Sequence, residues 1–526
     1  MLLCALAAAL YIPALDGTFL SYDDVDYVAE NPDLRDGDGL CRIWNPREAR
    51  YPLMYYPLTF SSYWIEHRVW PANDARFYRR TNLALHLLNV VLVSVLLRSL
   101  GAQASVAVAG AAIFALHPLQ VASVAWVAER KNLLSTAFYL AAFLAFLRHR
   151  STGRGWPYVG SLVAFAAALL SKTQTLTFPA SLILADLTLQ RTGHLPKVGA
   201  MQLSVRIVPM LLLAIAAAIV TVSIEARPDV PTFSFTTRVL IAANAAWFYV
   251  AKFLAPFNLA PIYPRWSISA DDLRWWLAVA AWLVLIVGVV RNHRRIGALP
   301  LWGIAHFFVA LAPTLGFLSW GFLEFSFVAD HFSYLSVLGG GLALAVWTKH
   351  AAGTGSSWSL RRTAVAVIGG AWLVGISLQT YGQSWHWRNN LAFWRHVVAQ
   401  NPEEYLGNLS LGMQYDSHGE PEKAIFYLRK ATRARPGLAR PFRRYVGALG
   451  KTGGPQAAIA ACNEKIAEQP RFVAAHLERA LHAERLGRTA DARQDYRHVQ
   501  QAMPVRSPLW REAAEGMRRL GLAAGG

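Results

Sequence analysis

As far as Tyr381 the chain alternates long apolar runs with short polar breaks, and beyond it the period changes. Leu2–Leu20 carries one acid, Asp16, and no base. It reads as a first membrane helix, barely long enough to cross, so its start is expected further upstream. Nothing basic precedes it and no small-residue cleavage site follows, which argues against a cleaved signal. Residues 21–80 are polar and aromatic, and Pro32, Pro46, Pro52, Pro57 and Pro71 break any long helix there. Within them Leu58–Trp70 suits a helix lying along the membrane surface. Apolar spans follow at about 81–99, 103–117, 132–148, 156–171, 174–190, 204–224, 236–255, 275–291, 299–319, 331–348 and 363–381. Each is near the ~20 residues a bilayer requires, or a little short of it.

Basic loops orient these spans. The stretches Arg148 to Arg154, Arg191 to Lys197, Arg291 to Arg295 and Lys349 to Arg362 are expected on the cytoplasmic side. All four fit only if one span does not cross. The weakest is 236–255, broken by Asn244, Lys252 and Pro256, and it is assigned as a re-entrant or surface helix pair. The expected architecture is all-α: a polytopic bundle of about eleven crossings over 1–384, with its C-terminus on the outer side, where Asp23 and Asp24 lie.

Past that bundle, Pro402, Pro436, Pro470 and Pro504 recur every 34 residues, the period of a tetratricopeptide repeat. Leu411, Gly412 and Tyr415 fall at the signature positions of a first helix. Ala424, Leu428, Ala431 and Pro436 fall at those of its partner. The slots recur at Ala458 and Cys462, then at Ala492 and Tyr496. Repeats are expected at about 405–438, 439–472 and 473–506, after a leading helix over 385–401 and before a capping helix over 507–520. Such a solenoid over 385–526 offers a concave binding surface or serves as a stabilising appendage, and carries no chemistry itself.

Composition supports a membrane protein: 54% of residues are hydrophobic and only 16% charged, below the ~25% of soluble domains. The net charge of +19 is explained by cytoplasmic loops and anionic lipid, and no motif supports a nucleic-acid partner or an NTP-driven reaction. Cys4, Cys41 and Cys462 have neither metal-site nor disulfide spacing.

Polar residues cluster where the span map has outer boundaries. Ser21-Tyr22-Asp23-Asp24-Val25-Asp26-Tyr27 places three carboxylates in four positions; it is either a solvated turn or a base beside an incoming nucleophile. The stretch 116–135 holds His117, Glu129, Arg130 and Lys131, and Ser171-Lys172-Thr173 places a lysine at a helix mouth. Ala329-Asp330-His331-Phe332-Ser333-Tyr334 closes the set. Arg130, Lys131 and Lys172 can hold a phosphate at the lipid surface or simply snorkel to it. His117 can cap a helix end, and Trp126 and Tyr334 fit an interface belt as well as a sugar platform.

The order of YDDVDYVAENP, FYRRTNLALHLLNVVLV, LHPLQVASVAWVAERKNLLS, LLSKTQTLTFPASLILADL, NLAPIYPRW, VADHFSYLSVLGG and WRNNLAFWRHVVAQNP, followed by repeats, resembles the transmembrane and tetratricopeptide-repeat O-mannosyltransferases, as a bacterial relative. The resemblance covers essentially the whole chain. It implies a C-type glycosyltransferase that takes a sugar from a polyprenyl-phosphate carrier and inverts its anomeric centre. Asp23, with Asp24 beside it, matches the base of the first outer loop. Arg130 and Lys131 match a Glu-Arg-Lys motif that begins at Glu129, and Lys172 a Ser/Ala-Lys motif; with His331 these are the implied phosphate ligands. His117, Glu129, Asp330 and Tyr334 are implied in support. The implied setting is a bacterial inner membrane, with the repeats on the periplasmic side receiving an acceptor protein.

Three positions depart from the family pattern. Ala122 stands for a glutamate, Asn132 for an aspartate and His331 for an arginine. Losing two acids leaves a divalent cation, Mg or Mn, with little support, and losing the arginine removes a cation from the phosphate. Alternatives are a lipid or polysaccharide acceptor, or a catalytically degenerate repeat scaffold in the membrane. A transporter is disfavoured, because the ionisable residues gather at one face and not at the midplane.

Overall fold

The computed structural model describes residues 1–45, 47–48, 54–70, 74–225, 232–318, 321–353 and 360–521. Pro46, Pro52 and Pro71 of the first loop, and 354–359 within the Lys349–Arg362 stretch, lie outside these residues. Among the described residues every regular element is helical. The chain divides into two compact units, Met1–Ala392 and Phe393–Gly526.

In the first unit four helices are long and apolar enough to cross a bilayer: Ala75–Ser99, Ala200–Ile224, Leu273–Ile296 and Leu360–His386. Ala104–Leu116 and Pro118–Ala125 make a fifth if the two, bent by 52°, count as one. No residue of Leu273–Ile296 is buried, the exposure expected of a helix whose apolar side chains meet lipid. Four or five candidate spans in a helical bundle are shown, and eleven crossings are not. The polar motifs account for much of the shortfall. Residues 173–177, 312–314 and 330–333 form 3₁₀ turns, so the α-helices beside them are only Phe178–Arg191, Ala298–Leu311 and Ser336–Ala352.

Two further expectations are corrected. Leu2–Leu20 is not one helix: Leu2–Leu10 ends at Tyr11, and a four-residue piece, Ile12–Leu15, follows around Pro13. A helix of nine residues is ~14 Å long, half a bilayer core. Residues 236–255 are not a helix pair but the single helix Phe235–Leu254. Asn244 does not break it, because its amide donates to the Leu240 carbonyl at 2.8 Å and the Trp275 carbonyl at 3.2 Å.

The helix Ser336–Ala352 is packed through Gly339-Gly340-Gly341. A Cβ on Gly339 would lie 2.3 Å from the Gly303 carbonyl oxygen, and one on Gly341 would lie 3.0 Å from that of Gly110. Small residues here let three backbones approach closely, as in other membrane helix pairs.

The second unit is a stack of helical hairpins. Its first-position helices are Tyr405–Ser417, Ala439–Thr452 and Val473–Arg485, and their partners are Pro421–Ala434, Gly454–Glu468 and Thr489–Ala502; Pro508–Arg519 follows. The signature positions Leu411, Gly412, Tyr415, Ala424, Leu428, Ala431, Ala458, Cys462, Ala492 and Tyr496 are all buried. This is a TPR-like α-helical region.

Candidate functional site

The site is built on the connection between Ala104–Leu116 and Arg130–Thr152. His117 opens it: Nδ1 accepts from the Leu119 N–H at 3.2 Å, so the ring proton is on Nε2, which donates to the Phe253 carbonyl at 2.9 Å. His117 is therefore a buried cap. Further on, two successive peptide groups are pinned by three side chains from elsewhere. Asn82 Nδ2 donates to the Trp126 carbonyl at 3.1 Å, Tyr63 Oη donates to the Val127 carbonyl at 2.8 Å, and Asp24 Oδ1 accepts from the Ala128 N–H at 2.9 Å. This holds Glu129, Arg130 and Lys131 in one orientation.

Glu129 is fully buried and shared by two lysines. Lys131 Nζ lies 2.9 Å from Oε1 and Lys172 Nζ 3.2 Å from Oε2. Burial alone would raise the pKa of this carboxyl, but the two lysines, Lys131 and Lys172, hold it down at about 2. Lys172 also donates to Asn132 Oδ1 at 2.7 Å, while Asn132 Nδ2 donates to Ser123 Oγ at 2.9 Å and to the His331 carbonyl at 2.8 Å. An aspartate could accept from Lys172 but could not make those two donations. Asn132 is thus fitted to its place.

The acid pair splits into two roles. Asp24 is fully buried and committed: besides Ala128 it accepts from the Leu20 N–H at 3.0 Å, with the buried Arg79 as countercharge. Arg79 in turn donates to the carbonyls of Ala14 (2.8 Å), Trp387 (2.7 Å) and Thr18 (2.6 Å). Asp23 is only partly covered, and its carboxylate makes no hydrogen bond among the described residues. Burial pushes its pKa up to about 6; Lys131 opposes the shift, and Glu129, Asp24 and Asp26 add to it. An acid that is unoccupied and weakened in this way suits proton abstraction near neutral pH.

Other expected members do not join this group. Arg130 is buried with a separate set of partners: it pairs with Glu66 and donates to Asn82 Oδ1 and the Tyr78 carbonyl, both at 2.9 Å. Its guanidinium is committed to these partners and not to Glu129. His331 stands 4.0 Å from Glu129, but burial lowers its pKa to about 3, so it is neutral and brings no charge to the site. Asp330 accepts from Tyr263 Oη at 2.8 Å, and Tyr334 Oη meets His86 Nδ1 at 2.9 Å and Asn89 at 3.2 Å in the helix core. Ala122 is buried in the Val121–Ala125 turn. Among the described residues no cluster of three His, Cys, Asp or Glu can hold a metal.

Sequence reasoning missed Glu66, Arg79 and Asn82. Glu66 left a signal, being the only acid between Glu48 and Asp74 and lying in an aromatic helix, Pro57–Val69. Arg79 and Asn82 sat unremarked at the head of a long apolar helix.

These features define a helical membrane protein with a buried lysine-carboxylate centre and an attached TPR-like solenoid. No family model matches the chain. It is similar to three animal proteins named as protein O-mannosyl-transferases. Tmtc2 of Drosophila melanogaster is 29% identical over 207 residues, 37% of this chain and 22% of the relative. F38B6.6 of Caenorhabditis elegans is 22% identical over 449 residues, 80% of this chain and 60% of the relative. TMTC3 of Mus musculus is 27% identical over 186 residues, 34% and 20% respectively. The chain thus spans less than two thirds of each of these relatives. The matches support homology to that group, and nothing in them is specific to a bacterial branch.

Proposed function

We propose that the chain is a membrane glycosyltransferase that moves a sugar from a polyprenyl-phosphate carrier to a Ser or Thr hydroxyl of a protein. Similarity to proteins named O-mannosyl-transferases supports the class. The observation that carries the mechanism is that one buried carboxylate, Glu129, holds two lysines in place, with Lys131 facing Asp23.

In this reading Asp23 takes the proton of the acceptor hydroxyl as its oxygen attacks the anomeric carbon. The bond from that carbon to the phosphate oxygen breaks, and its electron pair leaves with the lipid phosphate. A phosphate is already a good leaving group, so fixed cations suffice in place of a general acid. Lys131 and Lys172 supply them, and Glu129 keeps both in position. Attack opposite the leaving phosphate inverts the anomeric centre. The solenoid presents the acceptor, because a stack of helical hairpins offers a groove for an extended peptide. The proposed setting is a bacterial inner membrane with acid loop and repeats both on the periplasmic side.

A second reading, a membrane-anchored scaffold without transferase activity, is favoured by the neutral His331 and the sequestered Arg130. Intact mass spectrometry of envelope proteins from a strain lacking the chain, against the complemented strain, separates the two. Loss of one sugar's mass from an envelope protein supports transfer; unchanged masses throughout favour the scaffold.

A further inference from the structure

The Trp126 side chain has no part in the proposed mechanism, yet it stands where the two halves of the site meet. Its ring stacks on Tyr22, the neighbour of Asp23, with centroids 4.8 Å apart and planes 20° from parallel. His331 meets it edge-on at 5.6 Å, Trp387 lies at 5.8 Å, and Lys131 Nζ is 5.7 Å from its centroid. The residue is 3% exposed, and its Nε1–H has no hydrogen-bond partner among the described residues. A buried indole N–H usually finds an acceptor, and leaving one unmet is costly. Nearby, Lys131 and Lys172 are engaged on Glu129, and Asn132 on three partners.

We infer that the Trp126 indole N–H is a binding group for the head of the donor, hydrogen-bonding an oxygen of its sugar-phosphate, while the stacked Tyr22 ties that contact to the loop carrying Asp23. The inference rests on the proposed transferase reading and adds a neutral ligand to its two cations. The acceptor oxygen belongs either to the phosphate or to a sugar hydroxyl, and two probes tell these apart.

The test uses the full chain in lipid nanodiscs, with geranyl phosphate, which has the phosphate but no sugar, and a short-chain polyprenyl phosphomannose, which has both. Trp126→Phe keeps an aromatic ring and removes the donor; Trp126→His keeps a ring N–H on a smaller ring. Losing this hydrogen bond weakens binding about 3- to 10-fold if a sugar hydroxyl accepts it and about 10- to 100-fold if the phosphate does. If the phosphate accepts, Trp126→Phe loses the larger factor for both probes; if a sugar hydroxyl accepts, it loses the smaller one for phosphomannose alone. In either case Trp126→His binds more tightly than Trp126→Phe. A packing role predicts the reverse order, since Phe fills more of the space, and that order overturns the inference. So does unchanged binding of both probes by Trp126→Phe. Failure of the parent chain to bind either probe overturns the donor reading itself, and this inference with it.

Discussion

Replacing either member of the acid pair by asparagine separates a catalytic carboxylate from a structural one, because the two substitutions move stability in opposite directions. The pKa of Asp23 is raised from 3.8 to about 6, an increase of about two units or ~3 kcal/mol against the ionised form. Partial exposure screens this to about 1–2 kcal/mol. The folded-state pKa lies above the unfolded value, so protonation favours the folded state, and that stabilisation is lost as pH rises from 3.8 through 6. Asp23→Asn carries no charge and avoids the loss. It melts higher than the parent at pH 7.5, and the gain shrinks towards pH 4. Its transfer rate falls about 10²- to 10⁴-fold, the range for a lost general base. Burial raises the pKa of Asp24 to about 6 as well, but Asp24→Asn also breaks contacts that Asp23 does not make. Asp24 accepts from two backbone N–H groups and faces Arg79. Asparagine accepts with one oxygen only, points an NH₂ at the other N–H and leaves Arg79 without its countercharge. A loss of about 1–3 kcal/mol follows. Thermal unfolding followed by tryptophan fluorescence in detergent, with parallel transfer assays, reads both effects. A lower melting temperature for Asp23→Asn at pH 7.5, or retained transfer in that variant, refutes the division of roles.

Three further outcomes are expected. In the parent, kcat/KM for transfer falls tenfold per pH unit below about pH 6, as Asp23 takes up its proton; a profile flat down to pH 4 contradicts this. Arg130→Met strands the buried Glu66 at a cost of about 3–5 kcal/mol and shows as lost folded protein. Lys172→Gln instead leaves folding nearly intact and weakens geranyl phosphate binding about tenfold; exchanged phenotypes would return Arg130 to the phosphate. Gly516→Ala would set a Cβ 2.3 Å from the Tyr496 ring, a clash worth about 1–3 kcal/mol. Faster hydrogen exchange over 489–519 in the full chain reports it.

The solenoid was legible in the sequence because its information is local. A 34-residue period and small residues such as Gly412 and Ala424 describe packing between adjacent helices, and no long-range partner had to be guessed. The membrane unit was legible only coarsely. Apolar runs marked most helices, but composition does not distinguish a helix from a 3₁₀ turn inside a run, as at Thr173–Thr177 and Asp330–Ser333. For the site, motif order brought forward Asp23, Glu129, Lys131 and Lys172. It did not separate Arg130 from Lys131, because adjacent residues at a helix start point in different directions and their partners lie far away in sequence. Glu66 is 64 positions from Arg130, and Asp24 is 104 from Ala128. Such pairings leave no periodic trace.

The most direct test of sugar transfer is intact mass spectrometry of a Ser/Thr-containing acceptor peptide after incubation with polyprenyl phosphomannose and the purified full chain in nanodiscs. The account predicts a mass gain of one sugar with the parent chain and none with Asp23→Asn. No gain with the parent, or an equal gain with Asp23→Asn, would contradict it.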